Sequence, residues 1–280
     1  MKASVELFAD GTINWPVQRL RIIPYQKFNG PMNMAIDYCL AQNLTAEADP
    51  ILRFYGWEPY CLSLGFHQDV NEINLNSVKK NQIDLVRRPT GGSAVFHSEE
   101  LTYSLIMAVQ KIEHQELFRR IHQLIFEALQ NLGYDVQLHA QKDNQNYLKK
   151  GSATFVCFNR PAFTEIKMNG KKVVGSAQKI YKQSILQHGS ILIGKKQFEI
   201  VQYLNADQQY KNQVLKRLEK SSTYLSDQTS VAHSPNEIAE AIIDSFQRHG
   251  AYYSYFQWLT PDELETSLSY QRLFDLNNPN

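Results

Sequence analysis

The stretch "FTEIKMNGKKVVGSA", residues 163–177, constrains the fold more than any other short segment of the chain. Asn169-Gly170 stands between β-compatible flanks, and a two-residue hairpin turn needs positive φ at both turn positions, which Asn and Gly tolerate best. Such a turn pairs Met168 with Lys171 and Lys167 with Lys172. Lys171 and Lys172 then leave on opposite faces, so only one of them can point inward. Helices are signalled elsewhere. In residues 31–44, Met32, Ile36 and Leu40 recur at helical spacing with Ala35 and Cys39 beside them. Leu117, Ile121, Leu124, Ile125, Ala128 and Leu132 do the same, and Gly133 follows where a C-terminal cap belongs. "SPNE" (234–237) and "TPDE" (260–263) each combine a hydroxyl N-cap, Pro at the first helical position and Glu at the third. "ILRFYGWEPYCLSLGFHQ" (51–68) reads as two strands around a turn at Gly56 and Pro59. Strands and helices do not alternate in a βαβ rhythm, so the predicted class is α+β, with mixed, largely antiparallel sheets flanked by helices.

With 43% hydrophobic residues, 280 residues can bury a substantial core. The 29 Lys and Arg nearly cancel the 28 Asp and Glu, so no overall basic field calls for nucleic acid or an anionic membrane. A charged partner must be met by a local patch. Cys39, Cys61 and Cys157 are too few, and wrongly spaced, for a disulfide framework or a structural zinc site. Cys39 and Cys61 fall in apolar elements and are expected in the core. No signal peptide and no apolar run of membrane-spanning length, about 20 residues, is evident. The expectation is a cytoplasmic monomer.

"LVRRPTGGSAVFHSEELTYSLI" (85–106) places two arginines and a Gly-Gly pair between apolar strands. Paired glycines let the backbone turn sharply and approach a ligand, and Arg87 and Arg88 could hold an anion. Taken alone, the segment also reads as a glycine-rich loop with solvated arginines, and His97 as a structural histidine. It is neither a GxGxxG dinucleotide fingerprint nor a GxxxxGK[ST] phosphate loop.

Taken together, the motifs are more specific. "RRPTGGSAVFH" (87–97) resembles the RRxxGGxAVxH signature of the lipoate–protein ligase and octanoyltransferase family, which shares its catalytic-domain fold with biotin protein ligases. "MNMAID" (32–37), "LRFYGWEPYCLSLGFHQ" (52–68), "GKKVVGSAQK" (170–179) and "QHGSILI" (187–193) match further family segments in order. The resemblance implies an acyl tunnel whose substrate-binding residues are Arg87, Arg88, Thr90, Gly91, Gly92, Ala94, His97, Gly175, Ser176, Ala177 and His188. Gly91 and Gly92 would run against the acyl chain, and Ala94 would keep the wall small. Lys172 matches the family's catalytic lysine.

Cys157, in "TFVCFNRPAFTEI", stands where octanoyltransferases of Gram-positive type carry a Cys-Phe, whereas ATP-dependent ligases show a Gly-Arg-Asn-Asp-like segment. The resemblance therefore implies a Cys157 acyl-enzyme and Lys172 as its assistant, with no metal, nucleotide or other cofactor. The donor would be octanoyl-acyl carrier protein. The acceptor would be a lipoyl domain, such as the glycine cleavage H protein or a 2-oxoacid dehydrogenase E2. Lys149, Lys150, Lys171, Lys179 and Lys182 would form a docking surface for these acidic partners, or simply be solvated. Three other readings stay open: an ATP-dependent ligase, an amidotransferase between lipoyl-type proteins, and an inactive binder of the carriers. By organisation, residues 1–17 are expected to be an extension, 18–250 the catalytic domain, and 251–280 a helical tail packed on it.

Overall fold

The structure is a computed structural model and describes residues 17–140, 164–228 and 233–277. In chain order its elements are β1 (Arg19–Phe28), α1 (Gly30–Asn43), β2 (Ile51–Trp57), β3 (Cys61–Leu64), α2 (Leu75–Lys80), β4 (Asp84–Arg87), β5 (Val95–His97) and β6 (Glu100–Ala108). There follow α3 (His114–Asn131), β7 (Val136–Ala140), β8 (Thr164–Met168), β9 (Lys171–Lys172), β10 (Val174–Ile180), β11 (Ser184–Leu192), α4 (Gln208–Ser221), α5 (Pro235–Arg248), β12 (Tyr253–Phe256) and α6 (Pro261–Tyr270).

A six-stranded sheet, ordered β10-β11-β6-β2-β1-β12, forms the centre. Its β10, β11, β6 and β2 pair antiparallel, while β1 pairs parallel with both β2 and β12. The α+β class with mixed sheets is what the absence of a βαβ rhythm predicts. Strand alternation splits this sheet into two faces. Leu52 and Phe54 of β2, with Leu101, Tyr103 and Leu105 of β6, pack against Leu117, Ile121 and Leu124 of α3 and Ile242 and Phe246 of α5. The opposite face carries Ile51, Ile106 and Leu186 onto Met32, Ile36 and Leu40 of α1.

Two three-stranded sheets flank the centre, β4-β3-β5 and β7-β8-β9. The segment 51–68 does contain two strands, but they do not form a hairpin with each other. β2 belongs to the central sheet, whereas β3 pairs with β4 and β5. The short connection between them moves the chain from one sheet to the next.

Local signals behave as their chemistry predicts. Asn169 and Gly170 adopt φ of 52° and 75°, and the register pairs Lys167 with Lys172 and Met168 with Lys171. Gly133 has φ of 88° just past α3. Ser234 and Thr260 both close complete capping boxes. Cys39 and Cys61 are buried, and burial pushes the Cys61 thiol well up. The C-terminal segment contributes a strand as well as a helix. Arg21 of β1 then donates from both terminal nitrogens to the Glu263 carboxylate of α6, at 2.6 and 2.7 Å. Among the described residues, no helix is long and apolar enough to cross a membrane.

Candidate active site

A cavity opens between the α1-facing side of the central sheet and the β4-β3-β5 sheet. Met34, Tyr55, Trp57, Val95 and Ala177 supply its apolar lining, and its empty volume is about 460 Å³ including the open mouth. Eight of the eleven residues expected to bind substrate border it: Arg88, Gly91, Gly92, His97, Gly175, Ser176, Ala177 and His188.

The loop wall is built from the Gly91-Gly92 segment and is held by arginines. Arg88 is buried; it donates to the Ser63 carbonyl at 3.1 Å and to the carbonyls of Gly91 and Ser93, both at 2.8 Å. Arg87 lies outside the cavity lining and donates to the carbonyls of Gly65, Phe66 and Gln68. Both guanidiniums thus brace main chain, and Arg88 is buried rather than solvated. Gly92 needs its glycine, because φ is 96° and an added Cβ would meet Arg88 Nη2 at 2.9 Å. Gly91 has nothing within 4 Å of that position. Ala94, expected in the wall, is packed instead with Leu62, Leu64 and Phe96 in the core of the small sheet.

The strand wall is the β10–β11 edge of the central sheet. Ser176 pairs with Gly189, and alternation turns their side-chain positions to the α3 face, so at these two positions the cavity meets main chain. Gly189 permits this packing, since a Cβ there would lie 2.5 Å from Ser176 Oγ. Behind the wall, Ser176 Oγ lies 2.7 Å from Tyr103 Oη and 2.8 Å from His122 Nε2. His122 Nδ1 in turn lies 2.9 Å from Thr164 Oγ1. Burial, reinforced by the Lys172 charge, pushes His122 down to about 3, so the ring is neutral near pH 7.

Polar networks line the cavity floor. His97 Nε2 is 2.7 Å from Ser63 Oγ and Nδ1 is 2.7 Å from Glu100 Oε1, while the ring stacks on Trp57 with centroids 4.0 Å apart. Thr102 and Ser190 also donate to Glu100 Oε1; its Oε2 is buried with no partner among the described residues. His188 Nε2 is 2.7 Å from Thr90 Oγ1, so Thr90 does not border the cavity but meets a residue that does. His188 Nδ1 faces Asp37 Oδ2 at 3.6 Å. Asp37 is fully buried and takes hydrogen bonds from Arg53, Tyr55 and Ser104, each at 2.8 Å. Burial opposes its charge, yet Arg53, the nearby His188 imidazole and the bond from Ser104 hold it below the usual carboxylate range. Asp37 and Arg53 lie within sequence motifs that point to the site, but their pairing across 16 residues had no local signal. His122 had one: a histidine interrupting the apolar stripe of α3.

Of the two lysines after the turn, Lys172 is the buried one and Lys171 is half-buried. Lys172 Nζ lies 3.6 Å from Glu165 Oε1. Cys157, Lys149 and Lys150 lie outside the described residues.

A narrow, largely apolar cavity with glycine main chain on one side and hydrogen-bonded polar groups on its floor suits the chain of a small acyl group. Sequence comparison is specific on this point. The chain belongs to the lipoyl protein ligase A/B catalytic domain family, whose model matches residues 29–247. Octanoyltransferase LipM of Halalkalibacterium halodurans is 36% identical over 228 residues, covering 77% of this chain and 81% of the relative. Octanoyltransferase LipM of Bacillus subtilis is 40% identical over 170 residues, 58% of this chain and 60% of that protein. In fold, the chain resembles a bipartite lipoate protein ligase from Thermoplasma acidophilum, with TM-score 0.72, 21% identity and coverage of 91% and 92%. It also resembles a lipoate-protein ligase A bound with ATP, with TM-score 0.69, 22% identity and coverage of 91% and 94%.

Proposed function

We propose that this chain is a cysteine-dependent octanoyltransferase of protein lipoylation. The observation that carries the activity is the similarity to octanoyltransferases over most of the chain, joined to a cavity bordered by the acyl-binding segments. Cys157 is the nucleophile. Its sulfur attacks the carbonyl carbon of octanoyl-acyl carrier protein, the bond to the carrier's sulfur breaks, and the carrier leaves as a thiol with the proton that Cys157 gave up. The ε-amine of a lipoyl-domain lysine then attacks the new thioester. A C–N bond forms, the bond to Cys157 sulfur breaks, and the amine proton returns to the thiolate.

Lys172 assists by polarising the thioester carbonyl and relaying protons. Because β10 is an edge strand whose alternate amides point away from β11, the edge-facing backbone amide within the Gly175–Ala177 segment is available as an oxyanion donor, and this main chain borders the cavity. The half-buried to exposed Lys171, Lys179 and Lys182 serve docking of acidic partners. The thioester already carries the activation, so neither ATP nor magnesium takes part.

The test is incubation with octanoyl-acyl carrier protein without ATP, read by intact mass. Wild type should gain one octanoyl group on Cys157 and pass it to a lipoyl domain, and Cys157→Ala should do neither. Activity of Cys157→Ala with free octanoate plus ATP would instead make the protein a ligase.

A further inference from the structure

Lys172 is pinned by its main chain from two sides. Its backbone pairs with Lys167 across the hairpin, and its carbonyl accepts from Thr223 N at 3.0 Å. Neither contact fixes the tip of a side chain with four rotatable bonds. The pairing also creates an electrostatic problem. Lys167 and Lys172 stand directly opposite each other on one face, where like charges repel. Glu165 lies two residues before Lys167 on the same strand, and therefore on that face. Its carboxylate reaches both cations: Oε2 is 2.9 Å from Lys167 Nζ, and Oε1 is 3.6 Å from Lys172 Nζ.

The two contacts differ in kind. The first is a close ion pair at 2.9 Å, on a lysine whose side chain is 27% exposed. The second exceeds hydrogen-bond length and joins two side chains that are each 7% exposed. Lys167 holds the carboxylate in place, while the other oxygen steers the Lys172 ammonium by charge, without a direct hydrogen bond.

We propose that Glu165 is a positioning residue for acyl transfer, which sets the place of Lys172 Nζ for its part in the reaction. The proposal rests on the role given to Lys172 above, and it assigns the buried carboxylate a task beyond folding. A carboxamide at this position keeps the shape and loses the charge that steers.

The experiment uses the full chain with octanoyl-acyl carrier protein and a lipoyl domain, and compares wild type, Glu165→Gln, Glu165→Asp, Lys172→Ala and Glu165→Gln/Lys172→Ala. Glu165→Gln should lower kcat about tenfold or more, as misplacement of a reacting group does. KM for both protein substrates should stay within about twofold, because Glu165 is buried and offers no surface to a docking protein. Glu165→Asp keeps the charge on a shorter arm and should recover part of the lost kcat. In single-turnover loading, the double variant should be no slower than Lys172→Ala alone.

Wild-type kcat in Glu165→Gln, or a further loss in the double variant, would overturn the proposal. If Glu165→Gln does not fold, Glu165→Asp decides, and wild-type kcat there rejects the idea. Failure of the underlying reading looks different: the wild-type enzyme itself then forms no acyl-Cys157.

Discussion

The two walls of the cavity are held in opposite ways. The strand wall is main chain in a ladder: β10 is bonded to β11, β11 to β6, and the hydroxyl, phenol and imidazole of Ser176, Tyr103 and His122 brace it from behind. The loop wall has no ladder. Its Gly91 and Ser93 carbonyls are gathered by the Arg88 guanidinium, while Arg87 braces the 65–68 main chain. A ladder spreads its stability over many small contacts, whereas a loop tied by one side chain concentrates it, so single substitutions should act very differently on the two sides.

The largest effect is expected from Arg88→Ala. It leaves the carbonyls of Ser63, Gly91 and Ser93 without this donor, at a cost of about 3 kcal/mol in total. Urea unfolding should show that loss, and loading of Cys157 should fall with it. A stability within error of wild type would mean that the loop is held by something else.

The strand wall can be loosened more gently through pH. Unfolded histidine titrates near 6.5, while folded His122 refuses the proton down to about 3. Its contribution is fully present above pH 6.5 and declines as pH falls, by up to about 1.4 kcal/mol per unit, because the unfolded chain gains a proton that the folded one rejects. His122→Gln should therefore lose less stability between pH 7 and pH 5 than wild type does. Parallel pH profiles would remove His122 from the account.

The smallest effect on stability separates the two neighbouring glycines. Gly91→Val adds bulk where nothing lies within 4 Å and should change stability by less than about 0.5 kcal/mol, while cutting octanoyl loading severely. Gly92→Val should hurt both, because positive φ and the Arg88 contact add strain to obstruction. Equal loading by Gly91→Val and wild type would move the acyl path off this wall.

What the sequence made legible was local chemistry. The Asn169-Gly170 turn, the Ser234 and Thr260 caps and the α3 stripe each depend on residues within a few positions, and each formed as its composition requires. Distance in the chain marks what was hidden. Nothing in residues 51–68 shows that β2 and β3 part into different sheets, since that depends on partners as remote as His97 and Ile106. Arg87 and Arg88 look like anion holders until their acceptors, main-chain carbonyls as far back as Ser63, are folded beside them. Ala94 illustrates the same limit within a motif, because it faces the small sheet's core while its neighbour Val95 borders the cavity.

The hydrogen bonds around the cavity also bear on time. On the proposed route, an acyl group held on Cys157 must outlast the interval between departure of one protein and arrival of the next, and its competitor throughout is water. Hydrolysis is quick when an imidazole nitrogen can take a proton from that water. Here each of three buried rings has both nitrogens facing protein groups: His97 has Ser63 and Glu100, His188 has Thr90 and Asp37, and His122 has Ser176 and Thr164. A ring so occupied is a poor base for a passing solvent molecule. The architecture keeps His97 and His188 at the cavity and His122 behind its strand wall while giving all three other employment, and on the proposed acyl-enzyme route a stored acyl group would gain its lifetime from that restraint.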